Sequence, residues 1–84
     1  MDEAWIPVTT SEGIFSTEVA VSITLANGNQ VSLFADKDLI SNIGGHESLK
    51  VHRVRSEHPN GTEVVLLPTE TFEEGSRWIE VVRG

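Results

Sequence analysis

Regular alternation along one stretch is the feature that most restricts how this chain can fold. Between Glu18 and Leu25, every second residue is a large aliphatic one: Val19, Val21, Ile23 and Leu25. Side chains on a β-strand point alternately to two faces, so this period of two predicts a half-buried strand. Asn27-Gly28 follows and suits a type I′ turn, whose two central residues need positive φ. Gln30 to Ala35 then alternates again, so the sequence predicts a β-hairpin.

Three further strands and a short leading one are predicted. Trp5 to Val8 forms the leading strand, Thr62 to Leu67 another strand, and Ser76 to Val82 the last one. The remaining strand carries Leu49, Val51 and Val54, and its alternation slips near His52-Arg53, which suggests a β-bulge. The continuous run Val64-Val65-Leu66-Leu67 indicates burial on both faces of its strand.

The segments between these strands are predicted to be turns and loops. Asp36 to Ile40 fits a single helical turn capped by Asp36. Ser41 to Glu47 contains Gly44-Gly45 and is predicted to be a flexible loop. Pro59-Asn60-Gly61 is typical of a second hairpin turn, and Pro68 to Gly75 of an acidic loop.

Five or six short strands joined by tight turns predict a single all-β domain over residues 1–84. We expect a small antiparallel, partly open barrel and favour an SH3-like arrangement, with an OB-like barrel or a sandwich as alternatives. Strand phase assigns seven residues to the core: Val19, Val21, Ile23, Leu33, Val51, Val65 and Ile79.

Composition narrows the possible functions. The 84 residues include no cysteine, which excludes disulfides and thiolate metal sites. Folding must therefore rely on apolar packing alone or on help from a partner chain. The chain begins with an acidic segment and has no long apolar run, so we expect a soluble, cytoplasmic protein. A net charge of −7 makes nucleic acid an unlikely partner and disfavours anionic membranes. The charge favours a protein partner, a cationic ligand or simple solubility, and self-association is kept as an alternative to a protein partner.

No metal, cofactor or catalytic motif emerges from the sequence. Asp36 to Glu47 partly matches a twelve-residue calcium loop, but Ile40 and Ser41 stand where an oxygen ligand and a glycine are required. His46, His52 and His58 are too widely spaced to meet at one metal without a fold-back. We expect no cofactor and no catalysis by the chain alone. A small enzyme subunit with a site between chains stays an alternative.

Basic side chains concentrate on one predicted strand. Lys50, Arg53 and Arg55 are half of the six lysines and arginines in the chain. One interpretation is a cationic stripe that binds an acidic partner or the phosphates of a nucleic acid or ribonucleoprotein. The interpretation we favour is that acids on neighbouring strands neutralise these cations, for example Glu63 or Glu80 beside Arg55.

Two aromatic residues are candidates for an interaction surface. Strand phase directs Phe34 and Trp78 away from the predicted core, where they would form an apolar patch for protein binding. Alternatively, Trp5 or the segment Ile14-Phe15 covers them. Tyrosine is absent from the sequence, which argues against a proline-rich-peptide groove. The hypothesis is a non-catalytic protein-interaction or accessory module whose candidate surface contains Phe34, Trp78, Lys50, Arg53 and Arg55.

Overall fold

The computed structural model describes residues 2–54 and 61–82, which form eight β-strands and one 3₁₀ turn. No α-helix occurs within these two ranges. The strands are β1 (Asp2–Pro7), β2 (Thr9–Glu12), β3 (Glu18–Thr24), β4 (Gln30–Asp36), β5 (Ile40–Ile43), β6 (His46–Arg53), β7 (Thr62–Leu66) and β8 (Trp78–Val82). The 3₁₀ turn, Lys37–Leu39, follows Asp36 as predicted, although the Asp36 side chain makes no capping hydrogen bond.

The strands form two antiparallel sheets. One has the order β1-β6-β7-β8, with β5 also paired to β6, and the other has the order β2-β3-β4. The chain crosses between the sheets at Val8, the single residue between β1 and β2, whose amide donates to the Glu47 carbonyl at 2.9 Å. The predicted all-β, antiparallel, partly open fold is confirmed.

The predicted β3-β4 hairpin is confirmed, but its turn differs from the one expected. The strands pair from Glu18 opposite Asp36 to Thr24 opposite Gln30. The Leu25 amide donates to the Asn29 carbonyl, and the Gly28 amide donates to the Leu25 carbonyl. Of the turn residues, only Gly28 has positive φ, at 90°. This is a three-residue loop with a left-handed glycine rather than a type I′ turn.

The type I′ geometry belongs instead to the segment predicted to be a flexible loop. β5 and β6 pair directly up to Ile43 opposite His46, which leaves Gly44-Gly45 as a two-residue connection. Both glycines have positive φ, 61° and 88°, as this turn requires. The loop prediction was wrong because Ser41 and Asn42 are polar and gave no strand signal. The strand β2 was missed for the same reason, since its sequence is Thr-Thr-Ser-Glu.

The predicted β-bulge near His52-Arg53 was also wrong. β6 pairs without an inserted residue from Ser48 opposite Pro7 to Arg53 opposite Asp2. The apolar pattern slips because Arg53 takes the inward position in which an aliphatic residue was expected. The predicted turn Pro59-Asn60-Gly61, apart from Gly61, lies outside the described residues.

The core lies between the inner faces of the two sheets. The five-stranded sheet contributes Ala4, Ile6, Leu49, Val51, Val65, Ile79 and Val81, and the three-stranded sheet contributes Val21, Ile23, Val31, Leu33 and Ala35. All the predicted core residues are buried except Val19, which is half-buried at the edge of the cluster. The run Val64-Val65-Leu66-Leu67 is fully buried on one face only, because Val64 and Leu66 are half-buried.

Removing a central core side chain should strongly destabilise this fold. Leu33 is fully buried, so Leu33→Ala leaves a cavity and should lower the free energy of unfolding by about 2–5 kcal/mol. Ile14 is 73% exposed, so Ile14→Ala should change the free energy of unfolding little. Urea denaturation followed by circular dichroism measures both. Equal losses in the two variants would contradict the assigned core.

Candidate functional site

The outer face of the five-stranded sheet carries an apolar patch formed by Val64, Leu66, Trp78 and Val82. The register places Leu66 directly opposite Trp78. The neighbouring pair is hydrogen-bonded, since the Leu67 amide donates to the Arg77 carbonyl at 2.8 Å. Leu66 and Trp78 therefore form the kind of cross-strand pair whose side chains approach most closely. We call this group the outer patch.

The outer patch is accessible to solvent. Trp78 is 52% exposed and Val82 is 66% exposed. The three-stranded sheet packs against the opposite face, where Val65 and Ile79 lie in the core. Two polar residues share this face with the patch: Thr62 lies opposite Val82, and Glu80 lies opposite Val64. The Thr62 hydroxyl donates a hydrogen bond to the Glu80 carboxylate at 2.5 Å.

The same face continues across β6 to β1. His52 lies opposite Leu66 on one side and opposite Glu3 on the other, and Trp5 lies opposite Lys50. The ammonium of Lys50 is 3.0 Å from the Glu3 carboxylate. The outer face is therefore mainly apolar on β7 and β8 and polar on β6 and β1, where Lys50 and Glu3 form an ion pair beside Trp5.

Phe34 has a different environment from Trp78. Phe34 lies on β4 in the three-stranded sheet. The ring of Phe72 packs edge-on against the ring of Phe34, with 5.1 Å between the two ring centroids. This contact leaves Phe34 half-buried. The two aromatics proposed as one surface thus lie on different sheets. The predicted covering segment, Ile14-Phe15, is itself exposed, and the residue that covers Phe34 is Phe72.

Phe72 belongs to the loop between β7 and β8, and hydrogen bonds hold this loop against β4. The Phe72 amide donates to the Ser32 carbonyl at 2.9 Å. In return, the Ser32 amide and hydroxyl donate to the two Glu73 carboxylate oxygens at 2.7 and 2.6 Å. Both hydrogen bonds lower the pKa of Glu73 below its ordinary value, and the one from the Ser32 hydroxyl has the larger effect. The loop thus covers part of the open edge of β4.

Lys50 and Arg53, the two described members of the predicted basic group, do not lie on one stripe. Lys50 points to the outer face, whereas Arg53 shares the inner face with Val51, as their partners in β1 show. Arg53 Nε donates to Glu63 Oε2 at 2.6 Å. Both cations therefore pair with acids, as the favoured interpretation required, although Glu63 pairs with Arg53 rather than with Arg55. Arg55 lies outside the described residues.

Within residues 2–54 and 61–82, no three histidine, aspartate or glutamate side chains gather in a way that could hold a metal ion. No helix in the same ranges is long and apolar enough to cross a membrane. Comparison of the chain with models of protein families, with curated proteins and with solved structures gives no match.

The contact between Glu73 and Ser32 should make stability depend on pH. Because the fold lowers the pKa of Glu73, the ionised carboxylate stabilises the fold fully at pH values above the ordinary pKa of 4.5. This stabilisation is lost as the pH falls through the lowered pKa of the folded state. Glu73→Gln should therefore reduce the melting temperature at pH 7, and its difference from the wild type should shrink in acid. Glu74→Gln is the control, since it removes the same charge from the same loop but keeps the Ser32 contact. Parallel pH curves for wild type and Glu73→Gln would contradict this role.

Proposed function

We propose that this chain is a non-catalytic protein-interaction module that binds a partner protein through the outer patch. The observation that carries the proposal is the exposure of Trp78, 52%, beside Leu66 on a sheet face that the second sheet does not cover. Isolated exposed hydrophobic residues are ordinary on protein surfaces, but contiguous ones commonly mark interaction sites.

The chemistry of the patch suits a protein partner. Tryptophan is enriched among the residues that dominate binding energy, because its large ring buries much area and loses little conformational entropy. Val64 and Leu66 lie on a paired strand, so the surface around Trp78 is already ordered. A partner therefore gains the contact without first paying for a folding transition.

Charge favours a basic partner over a second copy of the chain. The net charge of −7 makes two copies repel each other. Glu80 lies on the same face as the outer patch, opposite Val64. We infer a partner that presents an apolar site with lysine or arginine residues around it.

The placement of the basic residues supports this function over binding of nucleic acid. Lys50 and Arg53 point to opposite faces of one sheet, and each is paired with a carboxylate. Phosphate binding requires cations that act together on one surface. The described residues offer no observation that favours an enzyme subunit. We further propose an SH3-like arrangement and a cytoplasmic location, since a cysteine-free chain needs no oxidising compartment.

The proposal predicts that Trp78 and Phe34 respond differently to truncation. Trp78→Ala should weaken binding of a partner captured from the source cells by about 2 kcal/mol or more, with little change in melting temperature. Phe34→Ala should lower stability, because it removes the ring packed on Phe72. Affinity capture followed by calorimetry measures both effects.

Phe15→Ala is the matched control for this experiment. Phe15 is 66% exposed but lies between β2 and β3, away from the outer patch. Its truncation should leave partner binding intact. Loss of binding in Phe15→Ala with full binding in Trp78→Ala would place the interaction elsewhere and refute the proposal.

A further inference from the structure

The open end of the two-sheet core contains a cavity of about 530 Å³. β2 pairs with β3 only as far as Ser22, so the last residues of β3 extend beyond the end of β2. β1 belongs to the other sheet and does not pair with these residues, which leaves the cavity open. Aliphatic side chains from both sheets line it: Ile6, Ile23, Leu25 and Val81. Arg53 and Glu63 also line it. We call this space the mouth cavity.

Glu63 is an unusual residue for the inner face of a sheet. It lies opposite Val81, in phase with the core residue Val65, and it is only 3% exposed. Burying a carboxylate costs free energy that the pairing with one guanidinium offsets only in part. The Arg53 side chain is 48% exposed, so the pair reaches from the buried carboxylate to the solvent.

This ion pair leaves hydrogen-bonding groups available to the mouth cavity. Among the described residues, the bond from Arg53 Nε to Glu63 Oε2 is the only one that either side chain makes. No side-chain polar atom in those residues is both sealed from solvent and without a partner. Glu63 Oε1, which accepts no hydrogen bond, therefore keeps contact with solvent, and Glu63 is one of the residues that line the cavity. The N–H groups on the two Nη atoms of Arg53 are likewise free to donate.

A guanidinium and a carboxylate held side by side complement a ligand that carries both charges. An anion alone would meet Glu63 and also Asp2, which lies opposite Arg53. A cation alone would leave the Arg53 donors unused. A zwitterion satisfies both groups, since its carboxylate accepts from the Arg53 Nη atoms and its ammonium donates to Glu63 Oε1.

We propose that the mouth cavity binds a free α-amino acid with an aliphatic side chain. The ammonium and carboxylate lie against Glu63 and Arg53, and the side chain lies among Ile6, Ile23, Leu25 and Val81. The cavity volume lies within the range usual for small-molecule sites, and the mouths of β-barrels are a common location for such sites. Val82 of the outer patch also lines this cavity, whereas Trp78 does not.

Three probes that share one aliphatic group test the proposal: L-leucine, 3-methylbutylamine and 4-methylpentanoate. Each is titrated into the isotope-labelled full chain while the backbone amide signals are followed by NMR. Leucine should give saturable shifts at Arg53, Glu63, Ile23 and Val81. The amine and the acid, which each lack one charge, should bind at least about tenfold more weakly. Absence of saturable shifts with leucine, or equal binding of all three probes, would overturn the proposal.

Variants of the ion pair provide a second criterion. Replacing only one partner would leave the other unpaired, so Arg53→Gln and Glu63→Gln are combined in one chain. This double variant should lose the preference for leucine, whereas Trp78→Ala should bind leucine as the wild type does. Unchanged leucine affinity in a folded double variant would refute the assigned contacts. If the double variant does not fold, the comparison of the three probes still decides.

Discussion

The structure depends on face-to-face packing of aliphatic side chains from two small sheets. The chain has no cysteine and therefore no disulfide to restrain it. The fully buried side chains include Leu33 of the three-stranded sheet and Leu49 and Val65 of the five-stranded sheet. Leu67, which directly follows β7, is fully buried as well. Because side chains alternate along a strand, fixing these residues inward fixes their neighbours outward. The exposure of Trp78 follows directly from the burial of Ile79.

The inner face is not apolar along its whole length. Arg53 and Glu63 occupy inward positions at the end of the sheet where the second sheet no longer covers it fully. An ion pair there can keep contact with solvent, which the centre of the core would not allow. The same opening that makes the barrel incomplete thus creates a cavity with a polar floor.

Local patterns predicted much of this fold, and long-range contacts account for most of the rest. The β3-β4 hairpin follows from the spacing of Val19, Val21 and Ile23. β2 and β5 have no apolar alternation, and their pairing is determined by their neighbours. Gly44-Gly45 also suits a two-residue hairpin turn, but the preceding segment Ile40–Ile43 lacks the aliphatic alternation of a strand.

The candidate site was predicted less completely. Trp78 was placed outward correctly by strand phase, but Phe34 is covered by Phe72, which is 38 residues away in sequence and gives no local signal. Glu63 could have been recognised, because it is in phase with Val65 and Leu67. Its pairing with Arg53 could not, since that depends on which residues of β6 and β7 lie side by side.

The proposed binding surface is the sheet face that bears Trp78. Site-specific photo-crosslinking in the source cells tests this directly, with a photoreactive phenylalanine analogue introduced at position 78 or, separately, at position 72. Both residues are aromatic and exposed, 52% and 63%, but Phe72 packs against the other sheet. We predict a covalent adduct with another protein from position 78 and none from position 72. An adduct from position 72 without one from position 78 would contradict the account.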